Sequence, residues 1–97
     1  MAELGVKEDD AADNPAEWFV YILRCADGSF YTGITTDLNR RCDQHNAGTA
    51  SRYTRSRLPV SMVYHEDQAT RSLALKRELK IKAMSRKVKE ELIESVK

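Results

Sequence analysis

Hydrophobic runs separated by turn residues predict three short strands in this chain. The segment from Trp18 to Leu23 is an uninterrupted apolar run, rich in aromatic and β-branched residues, which is typical of a buried strand. The segment from Phe30 to Thr35 has a similar character, and the Ala-Asp-Gly turn before it predicts a β-hairpin. The segment from Pro59 to Tyr64 alternates weakly and predicts a third strand.

The length of the hairpin turn decides which way two tyrosines face. A two-residue turn at Asp27–Gly28 would place Tyr21 and Tyr31 on opposite faces of the hairpin. A three-residue turn at Ala26–Gly28 would place both tyrosines on one face, with Gly33 paired to Tyr21. Three-residue turns with a left-handed glycine at the last position are common in hairpins, so we favour the second register.

Capping residues and helical spacing predict three helices. Their predicted bounds are Thr36 or Asp37 to about Asn46, Thr70 or Ser72 to about Ala83, and Ser85 onward with an apolar stripe of Val88, Leu92 and Val96. Residues 47–58 are polar, contain Gly48 and predict a loop. The order β-β-α-β-α-α predicts an α+β fold, in which helices flank a small three-stranded antiparallel sheet.

Composition divides the chain into a tail and one domain. Residues 1–16 carry five acidic residues and one basic residue, a net charge of −4, and we expect a disordered acidic tail there. Residues 17–97 carry ten acidic and fifteen basic residues, a net charge of +5, and we expect one folded domain. This basic balance favours a polyanionic partner, although a solvated surface explains it equally well.

Segments for export or membrane insertion are not evident in the sequence. The longest apolar run is six residues, far short of the ~20 needed to cross a bilayer. No basic segment followed by an apolar run opens the chain, so we expect a cytoplasmic protein that does not bind membranes. Cys25 and Cys42 are then expected to be free thiols.

Glu78 is the most informative charged residue, because it falls within the apolar arc of its helix. At 100° per residue this arc contains Ala74, Leu75, Leu79, Ile81 and Ala83. A carboxylate buried there needs a metal ion, a cation or hydrogen-bond donors. The alternative to metal binding is a structural pair with Lys82, at the favourable i, i+4 spacing, or with an arginine from elsewhere in the chain.

Two further groups of residues could contact a phosphate. Arg41 and His45 lie one turn apart on the first helix, where arginine can bind a phosphate and histidine can orient it. Their ordinary alternatives are a snorkelling arginine and a histidine that caps the helix end. The loop alternates arginines with Tyr53, which suits binding of a nucleic-acid backbone or, alternatively, a solvated mobile loop. The arginines of this loop are Arg52, Arg55 and Arg57.

The hairpin motifs resemble a known family. Val20-Tyr21-Ile22 and Tyr31-Thr32-Gly33-Ile34 resemble the paired tripeptides that name the GIY-YIG endonucleases, with Val20 in place of a glycine and Thr32 in place of an isoleucine. The segments 37–46 and 75–78 resemble the helices that carry the family's arginine, histidine and glutamate. The resemblance covers about residues 19–93 and matches the small single-domain bacterial members. The segment 48–51 departs from their usual Gly-Lys-Gly-Ala, and no counterpart of the family's later asparagine is evident.

The resemblance implies an endonuclease that hydrolyses phosphodiester bonds with one Mg²⁺ or Mn²⁺ ion. It assigns catalytic roles to Tyr21, Tyr31, Arg41, His45 and Glu78, with Glu78 as the metal ligand. We expect the DNA to contact Gly33 and the loop residues, namely Arg52, Tyr53, Arg55 and Arg57. Structured or branched DNA in repair or recombination is the expected substrate, and a protein partner could supply targeting.

Two other functions remain open from the sequence. The first is a nucleic-acid-binding module of the same fold with little or no cleavage. The second is a protein-interaction domain whose basic surface binds an acidic partner. A steep salt dependence of DNA affinity would argue against the second.

Overall fold

The structure, a computed structural model, describes residues 17–96 and has the predicted order of elements with one addition. The elements are β1 (Trp18–Arg24), β2 (Phe30–Thr35), α1 (Leu38–Asn46), α2 (Arg52–Arg55), β3 (Ser61–Gln68), α3 (Arg71–Lys82) and α4 (Arg86–Glu94). The three strands form one antiparallel sheet in the order β2-β1-β3. The α+β fold is therefore confirmed, while the predicted tail of residues 1–16 lies outside the described residues.

The hairpin turn has the three-residue form. The backbone N–H of Cys25 donates to the carbonyl oxygen of Ser29 at 2.8 Å, and the N–H of Gly28 donates back to the carbonyl of Cys25 at 2.9 Å. Gly28 has a φ of 85°, in the left-handed region that glycine occupies without strain. Tyr21 consequently pairs with Gly33, and the predicted register is confirmed.

The sheet is the middle layer of the molecule. On one face, residues of β1 pack against α3 and α4 in a core of Val20, Ile22, Tyr64, Ala74, Ile81 and Ile93. On the other face, a second core contains Tyr21, Leu23, Cys25 and Val60, with residues of α1 packed against it. Because both faces are covered, β1 is buried on both sides, which explains its uninterrupted apolar run.

Side-chain caps fix where the helices begin. Asp37, Thr70 and Ser85 each accept a hydrogen bond from the backbone N–H three residues ahead, as N-capping residues do. These caps confirm the predicted starts of α1, α3 and α4. Both cysteines are free thiols, as expected. Within residues 17–96, no helix is long and apolar enough to cross a membrane.

The prediction of a continuous loop over residues 47–58 was wrong. Ser51 caps a short helix, α2, by accepting from the N–H of Thr54 at 3.1 Å. Thr54 is fully buried, so this segment is fixed by a tertiary contact that the polar composition does not reveal. The third strand was also predicted too short, because its polar end continues to pair with β1, up to Gln68 opposite Trp18.

The apolar face of α3 is narrower than predicted. Ala74 and Ile81 are fully buried, but Leu79 is 68% exposed. Leu79 was predicted to belong to the buried arc. The sheet covers the side of the helix on which Ala74 and Ile81 lie, and Leu79 lies outside this covered side.

The predicted stripe of α4 was also largely wrong. Ile93 is buried at 4% exposure, and Leu92 packs beside it. Val88 and Val96 are 42% and 59% exposed. With Leu92 and Ile93 adjacent, helical spacing alone could not decide which of two neighbouring stripes faces the sheet.

Candidate functional site

The hydroxyl of Tyr21 lies at the centre of the candidate site. Tyr21 is 1% exposed, and its ring lies over Gly33 of the neighbouring strand. A Cβ atom at Gly33 would lie 2.6 Å from the Tyr21 hydroxyl oxygen, well inside van der Waals contact. Glycine at this position therefore leaves the space that the phenol occupies.

Helix α1 brings two polar side chains to this hydroxyl. The Tyr21 hydroxyl lies 2.8 Å from Nε2 of His45, which is fully buried. Nε of Arg41 donates to the same hydroxyl over a longer distance of 3.4 Å. A further guanidinium N–H of Arg41 donates to the side-chain oxygen of Gln44 at 3.0 Å. Arg41 and His45 therefore converge on Tyr21 from consecutive turns of α1.

The other ring nitrogen of His45 is bonded to Thr54, a residue that the sequence did not single out. Nδ1 of His45 lies 2.8 Å from the Thr54 hydroxyl oxygen, which lies 2.9 Å from the Ser51 hydroxyl. The only signal in the sequence was a threonine three residues after a serine that could cap a turn. That pattern does not identify the tertiary partner.

One tautomer of His45 satisfies every donor and acceptor along this series of contacts. The Thr54 hydroxyl donates to the carbonyl of Ser51 at 3.4 Å, so it is free to accept from Nδ1–H of His45. Nε2 is then unprotonated and accepts from the Tyr21 hydroxyl. Arg41 can only donate, which agrees with a Tyr21 oxygen that accepts from Arg41 and donates to His45.

Burial keeps both members of the Tyr21–His45 pair neutral near pH 7. Burial raises the pKa of Tyr21 to about 12, against the lowering effect of the Arg41 hydrogen bond and charge. Tyr31 and Glu78 contribute smaller increases to the same pKa. Burial, followed by the charge of Arg41, lowers the pKa of His45 to about 4. The unprotonated Nε2 of His45 therefore faces a protonated phenol.

Tyr31 joins the cluster through its ring. Its centroid lies 5.1 Å from that of His45 in an edge-on arrangement, and it stacks on Tyr53 at 6.0 Å. The Arg57 guanidinium lies 3.9 Å from the centroid of the Tyr53 ring. Arg57 also forms an ion pair with Asp27 at 3.0 Å. Of the predicted phosphate-binding arginines, Arg57 therefore holds the α2 segment against the hairpin turn.

The other two arginines of this segment are more open. Arg52 and Arg55 are exposed on α2, and neither forms an ion pair with another of residues 17–96. They flank Tyr53, which is 38% exposed. This surface is available to a negatively charged polymer.

Glu78 lies on α3, close enough to Tyr21 for its negative charge to contribute a small increase to the pKa of the phenol. Its side chain is 15% exposed, and one carboxylate oxygen lies 3.2 Å from Nζ of Lys82, which is 49% exposed. The alternative left open from the sequence, an i, i+4 pair with Lys82, is therefore present. Among residues 17–96, no three histidine, cysteine or acidic side chains are grouped to hold a metal ion together.

A hairpin that turns two tyrosines toward an arginine and a histidine on the next helix defines the class of protein: it is a GIY-YIG domain. The sequence model of the GIY-YIG catalytic domain matches residues 17–91. The chain belongs to the GIY-YIG family, whose domain implies a nuclease superfamily and nucleic-acid binding.

Among its relatives, the chain is similar to proteins named UPF0213. A UPF0213 protein of Desulfotalea psychrophila is 52% identical over 84 residues, covering 86% of this chain and 76% of the relative. A UPF0213 protein of Staphylococcus aureus is 51% identical over 75 residues, covering 77% and 92%.

Solved structures agree with the fold. The solution NMR structure of a UPF0213 protein from Bacillus halodurans matches with 41% identity and a TM-score of 0.53, covering 80% of this chain and 83% of that one. The solution NMR structure of a protein from E. faecalis matches with 43% identity and a TM-score of 0.57, covering 82% and 85%.

Proposed function

We propose that this protein is a metal-dependent endonuclease that hydrolyses phosphodiester bonds in DNA, with structured or branched DNA in repair or recombination as its substrate. One observation carries the proposal: the Tyr21 hydroxyl is in hydrogen-bond contact with both Nε of Arg41 and Nε2 of His45. A phenol, an arginine and a histidine in contact supply a proton acceptor next to a phosphate-binding group.

The Tyr21–His45 pair solves a problem that Tyr21 alone would have. With a pKa of about 12, Tyr21 is rarely a phenolate at neutral pH. The attacking water can instead give its proton to the Tyr21 oxygen while the phenol proton moves to Nε2 of His45. The water oxygen then bonds to phosphorus, the bond from phosphorus to the 3′ oxygen breaks, and that oxygen takes a proton from solvent.

Arg41 binds the scissile phosphate in this proposal. Three of its five N–H groups remain for a ligand after the bonds to Tyr21 and Gln44 are counted. A bound phosphate also offsets the positive charge that helps to lower the pKa of His45. Substrate binding thereby makes His45 a better proton acceptor when the water attacks.

Glu78 is the residue that would hold the metal ion. Its carboxylate fits a cation, because an ammonium group already lies 3.2 Å from it and its charge reaches Tyr21. A single carboxylate suits one Mg²⁺ or Mn²⁺ ion that keeps most of its water ligands. When bound, such an ion neutralises charge on the phosphate and on the leaving oxygen.

The remaining predicted residues position the substrate. Tyr31, whose ring contacts His45, orients the water and phosphate, and Gly33 leaves the room in which the Tyr21 phenol lies. Arg52 and Arg55 bind the DNA backbone, and Tyr53 packs against a base or sugar. A separate protein partner could direct this small domain to its target.

Nicking of plasmid and branched DNA with Mg²⁺ tests the proposal. We expect Glu78→Gln and Arg41→Gln each to reduce the cleavage rate by about 10²-fold or more. Lys87→Gln, which removes one charge from the exposed face of α4, is the control and should cut normally. Cleavage that survives both site substitutions would falsify the proposed site.

A binding module with little cleavage is the second candidate, and two observations favour it. Lys82 already neutralises Glu78, and the pKa of Tyr21 is far above neutral. In this case the wild-type protein would bind DNA with a steep salt dependence and leave every substrate uncut.

A further inference from the structure

A cleft of about 310 Å³ opens beside Arg41, where β1 begins and β2 ends. Its walls include one aromatic ring, two arginines and a hydroxyl, from Trp18, Arg40, Arg41 and Thr36. We propose that this cleft binds one unpaired nucleotide of the DNA, next to the phosphodiester that is cut. The inference rests on the proposed function and names its substrate class.

The charges of the cleft select an anion. Arg40 and Arg41 both line it, and within residues 17–96 Arg40 forms no ion pair. Among the lining residues within 17–96, Asp37 is the only acidic one, and its carboxylate already accepts the backbone N–H of Arg40 as the helix cap. The cleft therefore presents a net positive charge to a phosphate.

Trp18 indicates that the ligand carries a base. Trp18 is half-buried, lines the cleft and packs in part against the core on the α3–α4 side. An indole is a flat apolar surface on which a base can stack. The Arg71 guanidinium lies 5.8 Å from the ring centroid, near the outer limit of a cation–π contact, so it holds the ring only weakly. A base that stacks on a side chain must leave its own helix, which requires an unpaired nucleotide.

Arg41 connects the cleft to the proposed reaction. Its Nε donates to Tyr21, while its side chain also lines the cleft. Arg40 and Arg41 line the same cleft, so a phosphate at Arg40 and the scissile phosphate at Arg41 would share one continuous site. The volume is at the small end of the usual ~300–1,000 Å³ for ligand pockets, which suits one nucleotide rather than a duplex.

Intrinsic fluorescence tests this directly, because Trp18 is the only tryptophan of the chain. A short single-stranded oligothymidylate is titrated in EDTA, so that no metal-dependent cleavage occurs. We expect saturable quenching, with affinity about tenfold lower in Arg40→Gln and unchanged in the matched control Lys87→Gln. Unchanged fluorescence, or unchanged affinity in Arg40→Gln, would overturn the proposal.

Two other ligands test the chemistry of the occupant. Inorganic phosphate, at the same phosphate concentration, should quench much less than the oligonucleotide, because it has no base. A blunt duplex should also quench much less, since its bases are paired. Equal quenching by phosphate would mean a simple anion site, and equal quenching by the duplex would mean that no unpaired nucleotide is required; either result overturns the proposal.

Cleavage kinetics separate this inference from the proposed function. On flapped DNA we expect Trp18→Leu to raise KM about tenfold with little change in kcat, and Trp18→Phe to restore most of the wild-type KM. Circular dichroism verifies that both variants are folded. If Trp18→Leu and Arg40→Gln both cut DNA with the wild-type KM, nucleotide binding in the cleft is overturned and the proposed function stands. If the single-stranded oligonucleotide quenches Trp18 selectively but no DNA substrate is cut, the proposed function is overturned and binding in the cleft stands.

Discussion

Gly33 and the hydroxyl of Tyr21 are so close that a methyl group on Gly33 would lie 2.6 Å from the hydroxyl oxygen. Antiparallel pairing places the two residues directly opposite each other on one face of the hairpin. The phenol therefore rests in the space left by the missing side chain, and its hydroxyl is directed to His45.

Gly33→Ala should destabilise the fold and displace the phenol. Overpacking of this kind costs about 1–3 kcal/mol of unfolding free energy, measured by urea denaturation. Cleavage should fall further than the loss of folded protein explains, because the Tyr21–His45 bond is disturbed. Gly28→Ala is the comparison: it meets no atom within 4 Å but is strained by its φ of +85°, so it should lose stability and keep activity. Full activity in Gly33→Ala would contradict this account.

Thr54→Val should isolate the contribution of one hydroxyl. Valine has nearly the same shape, but it leaves Nδ1 of the buried His45 without its partner. An unpaired buried polar group costs about 1–3 kcal/mol, and Thr54→Ser should recover most of this loss in urea denaturation. Nitrogen NMR of the imidazole should find the proton on Nδ1 in the wild type. A proton on Nε2 would refute the tautomer assigned to His45.

The parts of this structure that sequence predicts are those set by local rules. The register of the hairpin follows from its turn, and the helix starts follow from capping side chains such as Asp37. Thr54 was missed because its partner, His45, lies on another element, and nothing in a polar segment indicates which hydroxyl is buried. Leu79 was misplaced for a related reason: spacing defines a helical face but not how much of it the sheet covers.

The resemblance to a family and the structure contribute different parts of the candidate site. Tyr21, Arg41 and His45 were identified from motifs, and their mutual contacts come from the fold. Arg57 was predicted to contact the DNA because it lies in a basic loop, and the fold adds that its charge is paired with Asp27. The distribution of charge along a sequence does not reveal which arginines form ion pairs within the folded protein.

His45 should make the stability of the protein depend on pH. Its pKa is about 4 in the folded protein, against about 6.5 for an ordinary solvated histidine, so between these values the unfolded chain binds one more proton. Stability therefore rises with pH through this window and is lost as pH falls from about 6.5 toward 4, by at most about 3 kcal/mol. Urea denaturation at several pH values measures the slope. His45→Gln should flatten this slope; equal slopes in wild type and His45→Gln would contradict the assignment.

Lys82 should compete with a metal ion for Glu78. The pair is partly exposed, so Lys82→Met should cost only ~0.3–0.5 kcal/mol of stability. It should lower the Mg²⁺ concentration needed for half-maximal cleavage, because the carboxylate is released. Broadening of α3 signals by Mn²⁺ in NMR gives a readout independent of activity, with Lys89→Met as the control. Unchanged Mg²⁺ and Mn²⁺ responses in Lys82→Met would count against Glu78 as the ligand.

Arg55 and Arg57 carry the same charge, two positions apart, but should behave differently when each is changed to glutamine. Arg57 pairs with Asp27, covers the ring of Tyr53 and donates to its carbonyl at 2.8 Å, so Arg57→Gln should lose about 1 kcal/mol of stability. Arg55 is exposed and unpaired within residues 17–96, so Arg55→Gln should keep stability and bind DNA more weakly. Its plot of log affinity against log salt should become shallower by about 0.9 for one lost phosphate contact on duplex DNA. Urea denaturation and DNA titrations at several salt concentrations measure both quantities. If Arg57→Gln changed the salt dependence and Arg55→Gln did not, Arg57 would be the phosphate ligand that the sequence alone suggested.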